Sequence, residues 1–267
     1  MSWRASVRAT PALLRAGVAE AVAYRAEMLI WVLATTMPLV MLALWSSAAE
    51  GAPIGRYGER QFVAYFLATF IVRQLTGSWV FWDINFEIRN GTLGMRLLRP
   101  VHPLYAYAAE AIASLPMRLV VSIPVAAVAL AVLGRAELTV DPLVWLLWLA
   151  SMIGAWLITL FVNFVVGSAA FFLESSAKLM DAWGVFFFVL SGYLVPVDLL
   201  PHQLASVVDW LPFRYQIGLP VELMTHAHDR AEALALLAGQ WVWVALGFTA
   251  SALAWRRGIR RFASYGG

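Results

Sequence analysis

Apolar stretches about as long as a bilayer is thick recur six times along the chain. A helix needs roughly 20 such residues to cross the hydrocarbon core, because it rises about 1.5 Å per residue and satisfies its own backbone hydrogen bonds. The stretches cover residues 28–47, 61–82, 104–133, 143–173, 183–199 and 233–255. This recurrence predicts an all-α polytopic membrane protein with six transmembrane helices.

Composition supports the membrane class and excludes several others. The chain is 62% hydrophobic and 13% charged, whereas about a quarter of the residues in an ordinary soluble domain are charged. No segment between the apolar stretches is long enough to bury a core of its own, so residues 1–267 are predicted to form one transmembrane domain. The absence of cysteine excludes disulfides, thiolate catalysis and cysteine-based metal sites.

Basic residues predict the orientation. With six spans both termini share a side, and that side carries twelve lysines and arginines against five on the other. Basic residues of short loops are retained in the cytoplasm, so both termini are predicted to be cytoplasmic. A net charge of only +3, scattered along membrane flanks, predicts no nucleic-acid partner. The first apolar stretch is longer than a secretory h-region usually is, which argues against a cleaved signal peptide.

Residues 1–25 are predicted to form an interfacial helix. Thr10 and Pro11 have the pattern of a helix start, and Leu14 and Val18 fall on one face with Arg15 offset from them. This pattern suits a helix lying in the headgroup plane in contact with membrane lipid. A merely solvated start to the first span is the alternative.

The segment 83–103 is the most informative loop on the predicted cytoplasmic side. Phe86, Leu93 and Leu97 fall at helical spacing, and Gly91 and Gly94 interrupt the pattern. We expect a short amphipathic element outside the bilayer. Such an element suits either a lipid surface or a groove on a partner protein.

The segment 196–220 lies on the opposite side and contains apolar pieces too short to span. Its prolines and aromatic residues predict short helices that re-enter the outer leaflet and line an exit. A plain extracellular loop is the alternative. The residues that carry this prediction are Pro196, Pro201, Trp210, Pro212, Phe213 and Tyr215.

Three charged residues lie deep within the predicted spans, away from the span ends: Arg73, Glu110 and Arg118. A charge at membrane depth is costly and usually faces protein or water and has a partner. Arg73 and Glu110 lie about 15 Å and about 10 Å inside the membrane at 1.5 Å per residue, so they are predicted to pair. A fixed structural pair is favoured over a substrate site. For Arg118 the backbone carbonyls near Pro116 or Pro124, a second subunit and the transported molecule all stay open as partners.

Signatures of catalysis are missing from the sequence. A Walker A loop needs a lysine after glycine, but the only lysine, Lys178, follows Ala177. The four histidines have no metal-ligand spacing; they are His102, His202, His226 and His228. No cofactor, metal site or enzymatic activity is predicted for this chain.

Small residues in the fourth and fifth spans predict close helix packing, including across a dimer seam. They are Gly154, Gly167, Ser168, Ala169, Gly184 and Gly192.

The order and spacing of these features resemble the permease subunits of type-2 ABC exporters, particularly a bacterial branch that includes viologen-exporter-like proteins. The matching features are the N-terminal helix, the six spans, the loop EIRNGTLGMRLLRPVHPLY at 87–105, and the outer segments SGYLVPVDLLP and WLPFRYQIGLP. The resemblance covers essentially the whole chain. Large outer domains found in some exporters are lacking.

The resemblance implies that this chain works with two copies of a P-loop ATPase subunit and a second permease chain, identical or related. ATP and magnesium would bind to the ATPase. Residues of the coupling element that docks on it would be Ile84, Phe86, Glu87, Ile88, Arg89, Gly91, Leu93 and Leu97. The branch suggests lipophilic cations or drugs as cargo, and the wider family includes lipids and glycans. A stand-alone secondary transporter or a membrane assembly factor is the alternative, although a proton-coupled carrier usually buries several carboxylates.

Overall fold

The computed structural model describes residues 3–133, 138–174, 176–225 and 228–265. No β-strand occurs in these ranges, apart from one isolated bridge between Ile54 and Tyr57, so the predicted all-α fold is confirmed. Arg135 and His226 lie outside the described residues. The helices are α1 (Trp3–Ala23), α2 (Arg25–Ala34), α3 (Met37–Ala48), α4 (Glu59–Thr76), α5 (Val80–Arg89), α6 (Leu93–Leu97), α7 (Pro103–Ala113), α8 (Leu115–Leu133), α9 (Pro142–Ser168), α10 (Ala177–Leu190), α11 (His202–Val208), α12 (Gly218–Met224) and α13 (Arg230–Tyr265).

Three helical stretches of the described chain are long and apolar enough to cross a membrane: Pro103–Val128, Pro142–Phe171 and Arg230–Phe262. The middle stretch contains α9, which lies at the centre of the fold and packs against α13, α5 and α12. More of α9 is buried than of the other two stretches. The fourth span of the sequence prediction is therefore the core helix.

The first and second predicted spans are each divided between two helices. In the first, α2 ends at Ala34 and α3 begins at Met37, with Pro38 in its first turn. Proline lacks an amide hydrogen and clashes with the preceding turn of a continuous helix. The hydroxyl of Thr36 donates to the carbonyl oxygen of Leu33 at 2.8 Å and so gives one backbone carbonyl at the break a hydrogen-bond partner.

The predicted bounds of the fifth span are wrong, whereas the sixth span lies within a longer helix. The fifth was placed at 183–199, but α10 covers Ala177–Leu190 and is only about 21 Å long at 1.5 Å per residue. It ends where Gly192 adopts a positive φ of 85°, and the hydroxyl of Tyr65 donates to the Gly192 carbonyl at 2.8 Å. The sixth was placed at 233–255, but α13 extends from Arg230 to Tyr265.

Helix α1 packs lengthwise and parallel to α7. The Ser6 hydroxyl accepts from the His102 amide at 3.1 Å, and Thr10 and Tyr105 share a hydrogen bond of 2.6 Å. Further along, a Cβ on Gly17 would lie 2.6 Å from Cβ of Ala113. The N-terminal helix is thus an integral part of the fold.

Contacts between connecting segments define two ends of the molecule. At one end, called the terminal end, α1 meets the start of α7, and the last turns of α13 meet the 3-10 turn Ala169–Phe171. At the other, called the loop end, the Thr139 amide donates to Met224 and Tyr57 donates to Asp198 at 3.1 Å. The segments predicted to be cytoplasmic therefore gather at the terminal end.

Close packing involves some of the predicted small residues and not others. A Cβ on Gly154 would lie 2.8 Å from Gln240 of α13, and one on Gly167 would lie 2.9 Å from the branched side chain of Ile84. A Cβ on Gly184 would meet nothing within 4 Å. The absence of a side chain at Gly167 therefore lets α9 and α5 pack closely. Gly184 packs against no other element of the described chain.

Gly167→Ala should lower the thermal unfolding midpoint of the detergent-purified protein, since overpacking a core costs about 1–3 kcal/mol. Gly184→Ala is the matched control and should leave the midpoint unchanged or raise it, because alanine favours a helix over glycine by up to about 1 kcal/mol. Equal midpoints for the two variants would contradict the packing of α9 on α5.

Candidate functional site

The second predicted span is interrupted at Gly77, Ser78 and Trp79, between α4 and α5. Gly77 has an extended backbone, with φ −62° and ψ 144°. A break within a membrane helix leaves carbonyl and amide groups without their usual partners. Two neighbouring helices supply replacements.

Arg118 of α8 satisfies the carbonyl side of the break. Its Nη1 donates to the carbonyl oxygen of Gly77 at 2.5 Å and to that of Gln74 at 3.3 Å. Asn163 of α9 satisfies the amide side, because its Oδ1 accepts from the Phe81 amide at 3.1 Å. Backbone carbonyls were one of the partners left open for Arg118, but the carbonyls that it contacts belong to the α4–α5 break and not to Pro116 or Pro124.

A cavity of about 510 Å³ opens beside the break. Residues of α1, α4, α5, α6, α7 and α8 line it, and all three charges predicted within the spans are among them. Near the break the lining includes Arg73, Ser78 and Arg118. Elsewhere it includes Arg96 and four carboxylates, which are Glu20, Asp83, Glu87 and Glu110.

The predicted ion pair between Arg73 and Glu110 is wrong. Glu110 instead pairs with Arg96 of α6 at 2.8 Å, and Arg96 also holds Glu87 of α5 at 2.7 Å. Tyr107 of α7 donates its hydroxyl to Glu87 at 2.7 Å. The prediction rested on the similar depth of Arg73 and Glu110 along their helices. Arg96, on the short helix α6, contacts both Glu110 and Glu87 instead.

Arg73 instead lies among aromatic residues. Its guanidinium carbon is 5.2 Å from the ring centre of Phe187 on α10, and the guanidinium hydrogen-bonds to the hydroxyl of Tyr193. Cation–π contact of this kind is favourable where water is excluded. No full negative charge is supplied by either contact.

The predicted coupling residues do not share one exposed face. Ile84 and Leu93 are fully buried, with 0% exposure each, and belong to the core. Phe86 is 64% exposed and borders the cavity, while Gly91 lies in the turn between α5 and α6. Ile88 and Leu97 are partly buried against the core, and Glu87 faces Arg96.

Two apolar residues that the spacing argument missed are the most exposed ones of the loop. Met95 is 70% exposed and Leu98 is 87% exposed. Arg89 and Arg99 are exposed beside them in sequence. The interruption at Gly91 shifts the register between α5 and α6, which is why one helical pattern across 84–97 selected Leu93 in place of Met95.

The model of a family described as ABC-2 family transporter protein matches residues 23–266. The chain belongs to this family. It is therefore a transporter permease of the ABC-2 type and a membrane protein. The chain matches no curated protein.

At the loop end of this ABC-2 permease, the predicted re-entrant segment contains the short helix α11 and the start of α12. Of its six predicted site residues, Pro196, Pro212, Phe213 and Tyr215 are buried. Trp210 is 82% exposed and Pro201 is also exposed. Phe213 and Tyr215 therefore pack inside the protein and do not face a membrane interface.

A charged network that the sequence reading missed ties α12 to the start of α13. Glu222 is buried and accepts from Arg214 at 2.8 Å, and Arg214 also pairs with Asp209. The His228 ring places Nε2 2.7 Å from Glu222 and Nδ1 2.9 Å from Glu232. Burial alone would raise the pKa of Glu222, but Arg214 and then His228 lower it to about 2.

The pKa of His228 is shifted in the opposite direction to that of Glu222. Burial alone would lower its pKa, but the carboxylate of Glu222 and then that of Glu232 raise it overall. A raised pKa in the folded protein means that the charged imidazolium stabilises the fold. This stabilisation is complete below the unfolded value of about 6.5 and is lost as pH rises through the folded value.

Arg96→Ala should lower the unfolding midpoint, since it leaves Glu87 and Glu110 half-buried without their counter-charge, a loss of about 1–3 kcal/mol. Arg96→Lys should give an intermediate loss, because an ammonium cannot hold two carboxylates with the fork geometry of a guanidinium. The exposed Arg99→Ala is the control in the same thermal-unfolding assay. The same midpoint for Arg96→Ala and Arg99→Ala would disprove the role of Arg96.

His228→Gln should destabilise the permease more at pH 6 than at pH 9, since only the wild type loses an imidazolium between these values. The measurement is the difference in unfolding midpoint between wild type and variant across this range. The pKa of Glu222, lowered to about 2, lies well below this range, so the trend reports the histidine. A difference that is independent of pH would refute the bridging role.

Proposed function

We propose that the chain is the translocation subunit of an ATP-driven exporter in the bacterial inner membrane, with both termini cytoplasmic. Its fuel would be ATP hydrolysed by two copies of a separate ATPase, and a second permease chain, identical or related, would complete the pathway. Membership of the ABC-2 family supports the general assignment. The observation that carries the finer proposal is the connection from the exposed loop helix to the cavity.

That connection runs through Arg96. The exposed residues Met95 and Leu98 flank Arg96 on or next to α6, and Arg96 holds Glu87 of α5 and Glu110 of α7. Both carboxylates line the cavity. Movement of α6 by a docked partner would therefore displace two walls of the cavity together.

Helix α5 carries the same movement to the break. It packs on α9 through Ile84 and Gly167 and begins at Val80, directly after the interrupted residues 77–79. A break whose backbone is satisfied by side chains of other helices is a suitable hinge, since those contacts exchange without unfolding a helix. The proposed cycle uses ATPase closure to bias this hinge between inward and outward states.

Met95→Asp and Leu98→Asp should each weaken association with the ATPase at least tenfold while leaving the permease's own unfolding midpoint unchanged. The assay is co-purification with a Walker A protein sought in an adjacent reading frame, followed by ATP hydrolysis. Trp210→Asp, an equally exposed apolar position at the loop end, is the control. Leu93→Asp is unsuitable, because a charge at this buried position would unfold the permease itself.

Normal assembly and ATP turnover in both variants would overturn the docking proposal.

A secondary transporter is the second candidate, favoured by the four carboxylates that line the cavity. Vesicles containing the purified chain alone distinguish the two, since cargo movement driven only by an ion gradient would support the carrier and contradict the exporter.

A further inference from the structure

Two arginines from different helices converge on the break between α4 and α5. A Cβ added to Gly77 would lie 3.1 Å from Nη1 of Arg118 and 3.4 Å from Nη1 of Arg73. Both side chains also line the cavity. Two guanidinium groups therefore share one small region at membrane depth.

The contacts of these arginines leave their charge uncompensated. Arg118 donates to two carbonyl oxygens, and Arg73 contacts Phe187 and Tyr193. All four partners are uncharged. Within the described parts of the chain, no carboxylate lies within 4.0 Å of either guanidinium. Adjacent like charges in a region of low dielectric repel each other strongly, and a bound anion would offset this repulsion.

Two further features of the break attract an anion. Ser78 is only 7% exposed, and its hydroxyl has no hydrogen-bond partner among the described residues although it lines the cavity. Helix α5 begins two residues later, so the positive end of its dipole lies beside the same point. A buried, unpaired hydroxyl costs about 1–3 kcal/mol unless a ligand satisfies it.

The remaining lining indicates what else the ligand contains. Trp79, Val80, Trp82 and Phe86 supply apolar surface, and the volume of about 510 Å³ falls within the range of small-molecule sites. Glu20 and Asp83 also line the cavity, and neither forms an ion pair within the described residues. These carboxylates disfavour a ligand that is acidic throughout.

We infer that the cavity binds an amphiphile through a single acidic group, a phosphate or carboxylate, held by Arg73, Arg118 and the Ser78 hydroxyl at the break. The apolar part of the molecule lies along the aromatic residues of α5. Binding itself requires no ATPase, and only the identification of this amphiphile as cargo rests on the proposed function. A failure of binding therefore leaves the docking experiment on Met95 and Leu98 unaffected.

The test is calorimetric titration of the full chain, purified in a neutral maltoside detergent, with soluble eight-carbon amphiphiles that differ in headgroup. Octyl phosphate and octylphosphocholine should bind at least tenfold more tightly than octyltrimethylammonium. Octyl phosphate should also bind at least tenfold more tightly than inorganic phosphate. Equal affinity for the phosphate and the ammonium headgroups would overturn the anion site, and equal affinity for inorganic phosphate would overturn the assignment to an amphiphile.

Variants locate the site. Arg73→Gln and Arg118→Gln should each weaken octyl phosphate binding at least tenfold, while the amide of the glutamine at 118 still donates to the carbonyls of the break. Gly77→Ala should weaken it as well, because the added methyl occupies the space between the guanidinium groups and its backbone angles suit alanine. Gly94→Ala, which meets nothing within 4 Å, should bind normally.

Unchanged affinity in both arginine variants would disprove this location. Should a glutamine variant fail to fold, Arg118→Lys retains the charge and is expected to bind octyl phosphate within a few-fold of wild type. The headgroup series on the wild-type protein decides the chemistry in any case.

Discussion

The interrupted backbone at Gly77–Trp79 determines most of what surrounds it. A polypeptide inside a bilayer satisfies its backbone groups almost entirely within helices, so a break there requires polar side chains from other helices. Arg118 and Asn163 meet this requirement from α8 and α9. Their presence at membrane depth is thus explained by the break, and the cavity lies beside it.

The same requirement explains why the charged residues of the spans are not paired with one another. Arg118 is committed to carbonyl oxygens, and its neighbour Arg73 is held by aromatic rings and a hydroxyl. The carboxylate that depth alone would assign to Arg73 is instead engaged by a loop arginine. The two arginines therefore hold uncharged partners, and their positive charges remain able to bind an anion.

Sequence reasoning predicted the elements whose signal is local. The long apolar stretches predicted helices, and the Gly-rich and Pro-rich segments predicted short helical pieces between them. It could not predict partners, because these depend on which helices are neighbours. Leu93 and Met95 show the difference: both are apolar residues of one short loop, yet one is completely buried and the other largely exposed. The turn at Gly91 changes the direction of the chain, and periodicity across such a turn carries no information about faces.

The hydropathy pattern also could not predict the breaks inside the first and second spans. Hydropathy averages over about 20 residues, so Gly77 and Ser78 within an apolar stretch scarcely lower it, and neither do Thr35 and Thr36 before Pro38. A Gly-Ser pair followed by aromatic residues, together with an arginine in the same stretch, was a usable signal. Short interruptions in apolar stretches are common where membrane transporters bind their ligands.

Charge distribution in the cavity bears on the cargo that the family resemblance suggests. A purely cationic molecule would be attracted by Glu20 and Asp83 but repelled by Arg73 and Arg118, whereas a purely anionic one would meet the reverse. A molecule with an acidic group at the break and a neutral or basic group toward α1 satisfies both regions of the cavity. Because the single charge of Arg96 offsets part of the negative charge of Glu87 and Glu110, movement of α6 that loosened these pairs would make the acidic region more negative. Docking at the terminal end would then change the affinity of the cavity for charged molecules through electrostatics as well as through shape.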